Sequence, residues 1–199
     1  MGAVAINLIG LCDAEKTRIE NSNDKWAEDE AKRFTTSRNY VCKQEGDVYT
    51  MERKTGDGTN VCVKFNSSEQ SQEYTHLLDS LIEDRQTGQY YPFDYHFDVT
   101  ISRGQSSVIT FGCYASSSRN DDDADEYSIV SFNHGTPNTL AQPVNIMMRS
   151  NAFQSNIKQL LEQQYGIDKQ LTKFMYNHIQ MAMRKDQDAS FDALKAVLV

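Results

Sequence analysis

Proline is scarce, glycine is modest and no long apolar run occurs. Three prolines and ten glycines in 199 residues exclude collagen-like and linker-rich architectures. No stretch approaches the roughly eighteen apolar residues that a membrane-crossing helix needs. The longest, Ala3 to Leu11, is broken by Asn7 and Gly10. No Lys or Arg precedes it, so it lacks the charged start of a secretory signal. Ile6 stands where a myristoylation signal has Ser or Thr. The first arginine is Arg18, so an Arg-rich transit peptide is also missing. The chain then reads either as cytosolic or as one whose presequence has been removed.

Cysteine is sparse as well. Cys12, Cys42, Cys62 and Cys113 form no CxxC or CxxH, so zinc-site spacing is missing. Four scattered cysteines read as reduced thiols inside a cell or organelle. Positive charge is in deficit: 20 Lys and Arg face 28 Asp and Glu, a net charge of −8. Phosphate contacts need clustered cations, so the chain reads as a poor sequence-blind nucleic-acid binder, and no direct sequence-specific binding is expected either. Basic partners suit the balance better. Nucleophile elbow, P-loop, dinucleotide fingerprint and HExxH are all missing, and no cofactor is expected.

What is present is enough for a core. Ten Tyr, nine Phe and one Trp offset a mean hydropathy of −0.63. The length predicts one domain over 1–199. Residues 11–34 read as helical, with a soft spot at Asn21-Ser22-Asn23 and a cap for a second segment at Asn23 or Asp24. Residues 38–148 read as antiparallel sheet. Asp47 to Lys54 and Thr59 to Asn66 are strands around the Asp57-Gly58 hairpin signal, with Val61, Val63 and Phe65 on one face. From Pro92, the residues Phe93, Tyr95, Phe97, Val99 and Ile101 alternate with polar ones, the pattern of a half-buried strand. With a period-two segment from about Arg38 before the Glu45-Gly46 turn, Val108 to Tyr114, Glu126 to Asn133 and Val144 to Met148 complete about seven strands.

Residues 67–92 interrupt the sheet as an insertion. Tyr74, Leu77, Leu78, Leu81 and Ile82 make one helical stripe there, predicting a packed helix over Tyr74 to Asp84. Residues 150–197 are helical again. Phe153, Ile157, Leu160, Leu161 and Tyr165 form a stripe closed by Gly166 as C-cap. Asp168 caps the next helix, and Asp188 is expected to cap a final set of turns. The class is α+β.

Three constellations bear chemistry. Asp94-x-His96-x-Asp98 places ligand-type side chains on one strand face, fit for a metal or for acid-base work. A solvated strand face is the simpler reading, and no metal is expected. Asp121, Asp123 and Asp125 alternate like a calcium loop, but Glu126 and Phe132 stand where Gly and Glu are required. The run then reads as a solvated acidic patch. His178 lies on the apolar stripe of its helix beside Met175, Met181 and Met183, and reads as a packing histidine.

A series of short signatures in order resembles the mitochondrial glycoprotein family of acidic matrix proteins. Glu52-Arg53-Lys54-Thr55-Gly56 precedes Val61-Cys62-Val63-Lys64-Phe65-Asn66. Pro92-Phe93 opens a strand, and the next ends Thr110-Phe111-Gly112-Cys113-Tyr114. The acidic run Asp121 to Glu126 leads into Tyr127-Ser128-Ile129-Val130-Ser131-Phe132, and Ser190 to Val197 resembles the family ending. The resemblance implies a highly twisted seven-stranded antiparallel sheet flanked by one N-terminal and two C-terminal helices, in a ring-shaped homotrimer. It implies a non-enzymatic adaptor of the mitochondrial matrix that binds basic RNA-binding or ribosomal proteins. Such an adaptor supports mitochondrial RNA processing, including editing and stability, or translation. Its divergence suggests a distant eukaryote such as a kinetoplastid. Asp121, Asp122, Asp123, Asp125 and Glu126 are the expected partner-binding residues. The rival readings are a hydrolytic or metal-dependent enzyme using Asp94, His96 and Asp98, and a surface receptor-like binding protein.

Overall fold

The computed structural model describes residues 3–20, 24–67, 94–104, 107–116, 127–135 and 143–198. Helices α1 (Ala3–Glu20) and α2 (Asp24–Ser37) come first. Seven strands follow: β1 (Val41–Glu45), β2 (Val48–Lys54), β3 (Asn60–Asn66), β4 (Asp94–Arg103), β5 (Ser107–Ser116), β6 (Tyr127–His134) and β7 (Val144–Asn145). Helices α3 (Asn151–Tyr165) and α4 (Lys169–Leu198) close the chain. The seven strands form one antiparallel sheet whose spatial order is their chain order.

Alternation decides which face of the sheet is buried. Cross-strand register puts Tyr49, Phe65, Phe97, Cys113 and Ile129 in one row, and Met51, Val63, Val99, Phe111 and Phe132 in the next. Phe97, Val63 and Val99 are fully buried on this face. Each such side chain contributes roughly 1.5–3 kcal/mol relative to exposure. A register shift between Gly112 and Cys113 keeps Phe132 in its row beyond the irregularity. Helices α3 and α4 cover the apolar face with Leu161, Leu171, Phe174, Met175 and Ile179. Tyr95 Oη donates to the Thr172 carbonyl at 2.6 Å, tying β4 to α4.

Caps explain where the C-terminal helices begin and end. Ser150 Oγ accepts from Phe153 N at 3.4 Å at the start of α3. Gly166 closes α3 in the left-handed region, with φ 58°. Asp168 Oδ1 accepts from Gln170 N at 3.1 Å and Leu171 N at 3.2 Å, which starts α4. Two arginines lock this corner to the rest of the molecule. Arg38 donates to the Gly166 carbonyl at 3.1 Å, to Asp168 Oδ2 at 2.8 Å and to Gln170 Oε1 at 2.6 Å. Arg53 of β2 donates to the Tyr165 carbonyl.

The helical ends differ from the sequence expectation. Helix starts at Ala3, so the apolar stretch before residue 11 is helical too. Its partner is the far half of α4, through Lys16–Asp192 at 2.7 Å and Lys195–Asp13 at 2.8 Å, an antiparallel pair. Asp188 does not cap a new segment. Helix α4 runs unbroken for 30 residues, and Ser190 Oγ donates back to the Asp186 carbonyl at 2.9 Å. The last strand is shorter than the expected Val144 to Met148. It stops after Asn145, where fully buried Ile146 donates to the Val130 carbonyl and Arg149 N turns back to Ile146 O. The expected helix over Tyr74 to Asp84 and the start at Pro92 lie outside the described residues.

Candidate functional site: an acidic rim and a polar sheet face

The meander fixes where the undescribed connections leave the sheet. Val48 pairs with Asn66, Asp94 with Ser116, and Ala115 with Tyr127. Neighbouring strands alternate in direction, so the end of β3, the start of β4, the end of β5 and the start of β6 share one rim. Segments 68–93 and 117–126 therefore both depart from that rim. By sequence each holds five acidic side chains and one basic one, so together they account for the whole net charge of −8. The remainder of the chain is neutral. Lys54 and Arg103 mark the opposite rim. Asp121, Asp122, Asp123, Asp125 and Glu126 themselves lie outside the described residues.

Of the second candidate, Asp94, His96 and Asp98, the side chains of His96 and Asp98 project from β4 on the face away from the helices. The Asp94 side chain is outside the described residues. His96 Nε2 and Asp98 Oδ1 are 3.6 Å apart, with side chains 37% and 45% exposed. Burial raises the Asp98 carboxyl pKa, and the charges of His96 and Lys64 oppose that rise. The His96 ring lies 5.1 Å from that of Tyr114. Among the described residues this pair sits on a half-exposed strand face.

Ser131 joins this group only through the fold. Register runs Asp98, Gly112, Ser131 across β4, β5 and β6. Gly112 leaves a niche there, since a methyl group at that position would approach Ser131 Oγ to 3.0 Å. Among the described residues no three His, Cys, Asp or Glu side chains group as metal ligands. The four cysteines are free; Cys12 and Cys113 are buried, Cys62 is half-buried and Cys42 is exposed. No described helix is long and apolar enough to cross a membrane.

Elsewhere, a groove of about 390 Å³ runs between α2 and α4 over Phe34 and Phe174, rimmed by Glu30, Arg33, Lys173 and Asn177. The rings of Phe34 and Phe174 stack at 4.8 Å beneath it. His178 is half-buried, 4.3 Å from the Phe174 ring and 5.3 Å from Tyr49, and burial lowers its pKa. It packs, as its place on the apolar stripe indicates.

A solved structure from Leishmania major carries the same fold. That protein is described as a hypothetical protein of unknown function, a sequence homologue of human p32. The match has a TM-score of 0.58 at 9% identity and covers 90% of this chain and 99% of the other. In sequence, an uncharacterised protein of Dictyostelium discoideum is 26% identical over 231 aligned positions, 93% of this chain and 67% of its own length. No family model matches the chain.

Proposed function

We propose that this protein is a non-enzymatic acidic adaptor of the mitochondrial glycoprotein family, the family of human p32. The chain acts as one domain over 1–199, in the mitochondrial matrix, as a ring-shaped homotrimer. It holds basic RNA-binding or ribosomal proteins and so supports mitochondrial RNA processing, editing included, or translation. The observation that carries this reading is charge segregation. Two segments leaving one rim of the sheet hold the entire net charge of −8.

The mechanism follows from multiplicity. One exposed ion pair is worth only about 0.2–1 kcal/mol. Asp121, Asp122, Asp123, Asp125 and Glu126 put five charges within six residues, and a trimer repeats them three times. A basic partner then meets several at once, and effective concentration carries the affinity. Screening opposes it, because the Debye length falls from about 10 Å at 0.1 M salt to about 3 Å at 1 M.

The test is affinity purification from mitochondria with partner identification, beside a variant in which those five residues become Asn or Gln. Basic RNA-binding proteins should be captured at low salt, released at high salt and lost with the variant. Light scattering should give three times 22.7 kDa for both proteins. Capture that survives both the substitution and high salt overturns the acidic mechanism, and a stable monomer at micromolar concentration overturns the trimer.

A further inference from the structure

Strand β1 forms the outer edge of the sheet and is exposed along its whole length. Its neighbour is β2, across the two-residue turn Gly46-Asp47, which makes Glu45 and Val48 a hydrogen-bonded pair. Such pairs alternate in an antiparallel ladder. Val41, Lys43 and Glu45 therefore bond to β2, while the N–H and C=O groups of Cys42 and Gln44 point outward. Among the described residues no backbone group bonds to them. An edge of this kind is a template for one more strand.

We propose that β1 takes up an extended segment of a basic partner protein as an added antiparallel strand. The side chains of the edge select that segment. Val41, Lys43 and Glu45 share the open face of the sheet with Glu52. Lys43 is already paired with Glu52 at 3.3 Å, whereas Glu45 has no ion pair among the described residues. Val41 is 60% exposed and forms one wall of an open groove of about 650 Å³ that extends to Glu52, Asn60 and Cys62. The added strand then needs Lys or Arg opposite Glu45 and an apolar side chain opposite Val41, four residues later on the same face. The residue between them, opposite Lys43, is uncharged. Five paired residues span about 17 Å.

Direction ties this edge to the acidic rim, so the inference rests on the adaptor reading and deepens it. Val48 pairs with both Glu45 and Asn66, which places the end of β1 at the rim where β3 ends. Ser67 N donates there to the Asp47 carbonyl at 2.9 Å. An antiparallel strand enters at that rim with its N-terminal end. Basic residues that precede its paired stretch are thus delivered to the acidic side of the molecule. A second copy of β1 fits the edge less well. The register that uses both outward residues sets Lys43 against the second copy's Lys43, and like charges directly opposite are destabilising.

The test uses the full chain and a synthetic peptide, Lys-Arg-Thr-Arg-Thr-Thr-Thr-Ile-Thr, with a fluorescent label at its N-terminus. Its second Arg falls opposite Glu45 and its Ile opposite Val41. N-methylation of the two Thr opposite Gln44 and Cys42 removes N–H groups that face β1. N-methylation of the Thr between them removes one that faces away. All three peptides carry the same charge. Fluorescence anisotropy should show binding weakened more than about tenfold by the first change and less than about twofold by the second. Gln44→Pro removes an outward N–H that β2 does not use, and Glu45→Lys reverses the selecting charge. They should weaken the unmodified peptide about fivefold and about threefold or more, respectively, with circular dichroism checking that the sheet persists. The peptide should also slow amide exchange at Cys42 and Gln44, read by mass spectrometry. No binding of the unmodified peptide, or equal affinity for all three, overturns the inference. If that equal binding disappears when Asp121, Asp122, Asp123, Asp125 and Glu126 become Asn or Gln, the adaptor reading still stands. Slow exchange at Cys42 and Gln44 without peptide means that the edge is already covered, and it overturns the inference as well.

Discussion

Gly166→Ala tests the corner where α3 passes into α4. Gly166 has φ 58°, a region that costs an L residue about 1–2 kcal/mol. A methyl group there also has a neighbour. It would stand 2.8 Å from Arg53 Nη2 and 3.4 Å from Arg38 Nη1. Arg53 can swing away only by loosening its hydrogen bond to the Tyr165 carbonyl and its place 5.1 Å over the Tyr40 ring. A hydrogen bond to a charged group is worth about 1.5–3 kcal/mol, and movement of the side-chain end recovers part of it. The sum is a loss of about 2–4 kcal/mol. Urea unfolding at fixed protein concentration measures it. A double-mutant cycle separates the two causes: in an Arg53→Ala background the glycine substitution should cost only the backbone part, about 1–2 kcal/mol. An equal cost in both backgrounds refutes the arginine contact, and a loss below about 0.5 kcal/mol refutes the backbone strain as well.

His178 gives a pH signature. Its folded pKa lies below the ordinary value because burial between Tyr49 and Phe174 disfavours the imidazolium, with Lys185 adding repulsion. The folded state then binds this proton less readily than the unfolded state. Its contribution is complete above about pH 6.5 and is lost as pH falls below that. Stability measured from neutral to mildly acidic pH should decline less in His178→Phe than in the parent. The thiols should react in an order set by burial. Cys42 is modified first by a thiol reagent, while Cys12 and Cys113 stay protected until denaturant opens the core. Cys113 is the more inert, because burial pushes its pKa far up.

Much of the sheet was legible because a half-buried strand writes its own face. Tyr95, Phe97 and Val99 alternate with polar residues in sequence and are buried in the structure. The stops at Gly166 and Asp168 were legible for the same local reason, since the capping groups are within a few residues of the backbone they satisfy. The continuity of α4 was not. Lys185 to Ser190 is polar enough to look like a break, and what carries the helix through is α1, more than 170 residues earlier, ion-paired at Asp192 and Lys195. The acidic run at Asp121 to Glu126 is plain in the sequence. That a second acidic segment leaves the same rim is not, because it depends on strand order. The gathering of Ser131 with His96 and Asp98 depends on cross-strand register, for which a single strand carries no signal.

The pairing of α1 with the end of α4 has a consequence for how the chain matures. Synthesis delivers a polypeptide from its N-terminus. Helix α1 emerges before the sheet, and its partner, around Asp192 and Lys195, emerges after it. The meander between them can zip strand by strand as it emerges, since every strand pairs with its predecessor. Helix α1 cannot be completed in that way. Cys12, buried in the finished protein, stays uncovered for nearly the whole passage of the chain. The nascent protein thus carries an exposed helix ahead of the sheet until the far half of α4 arrives, and that is where a chaperone would engage it.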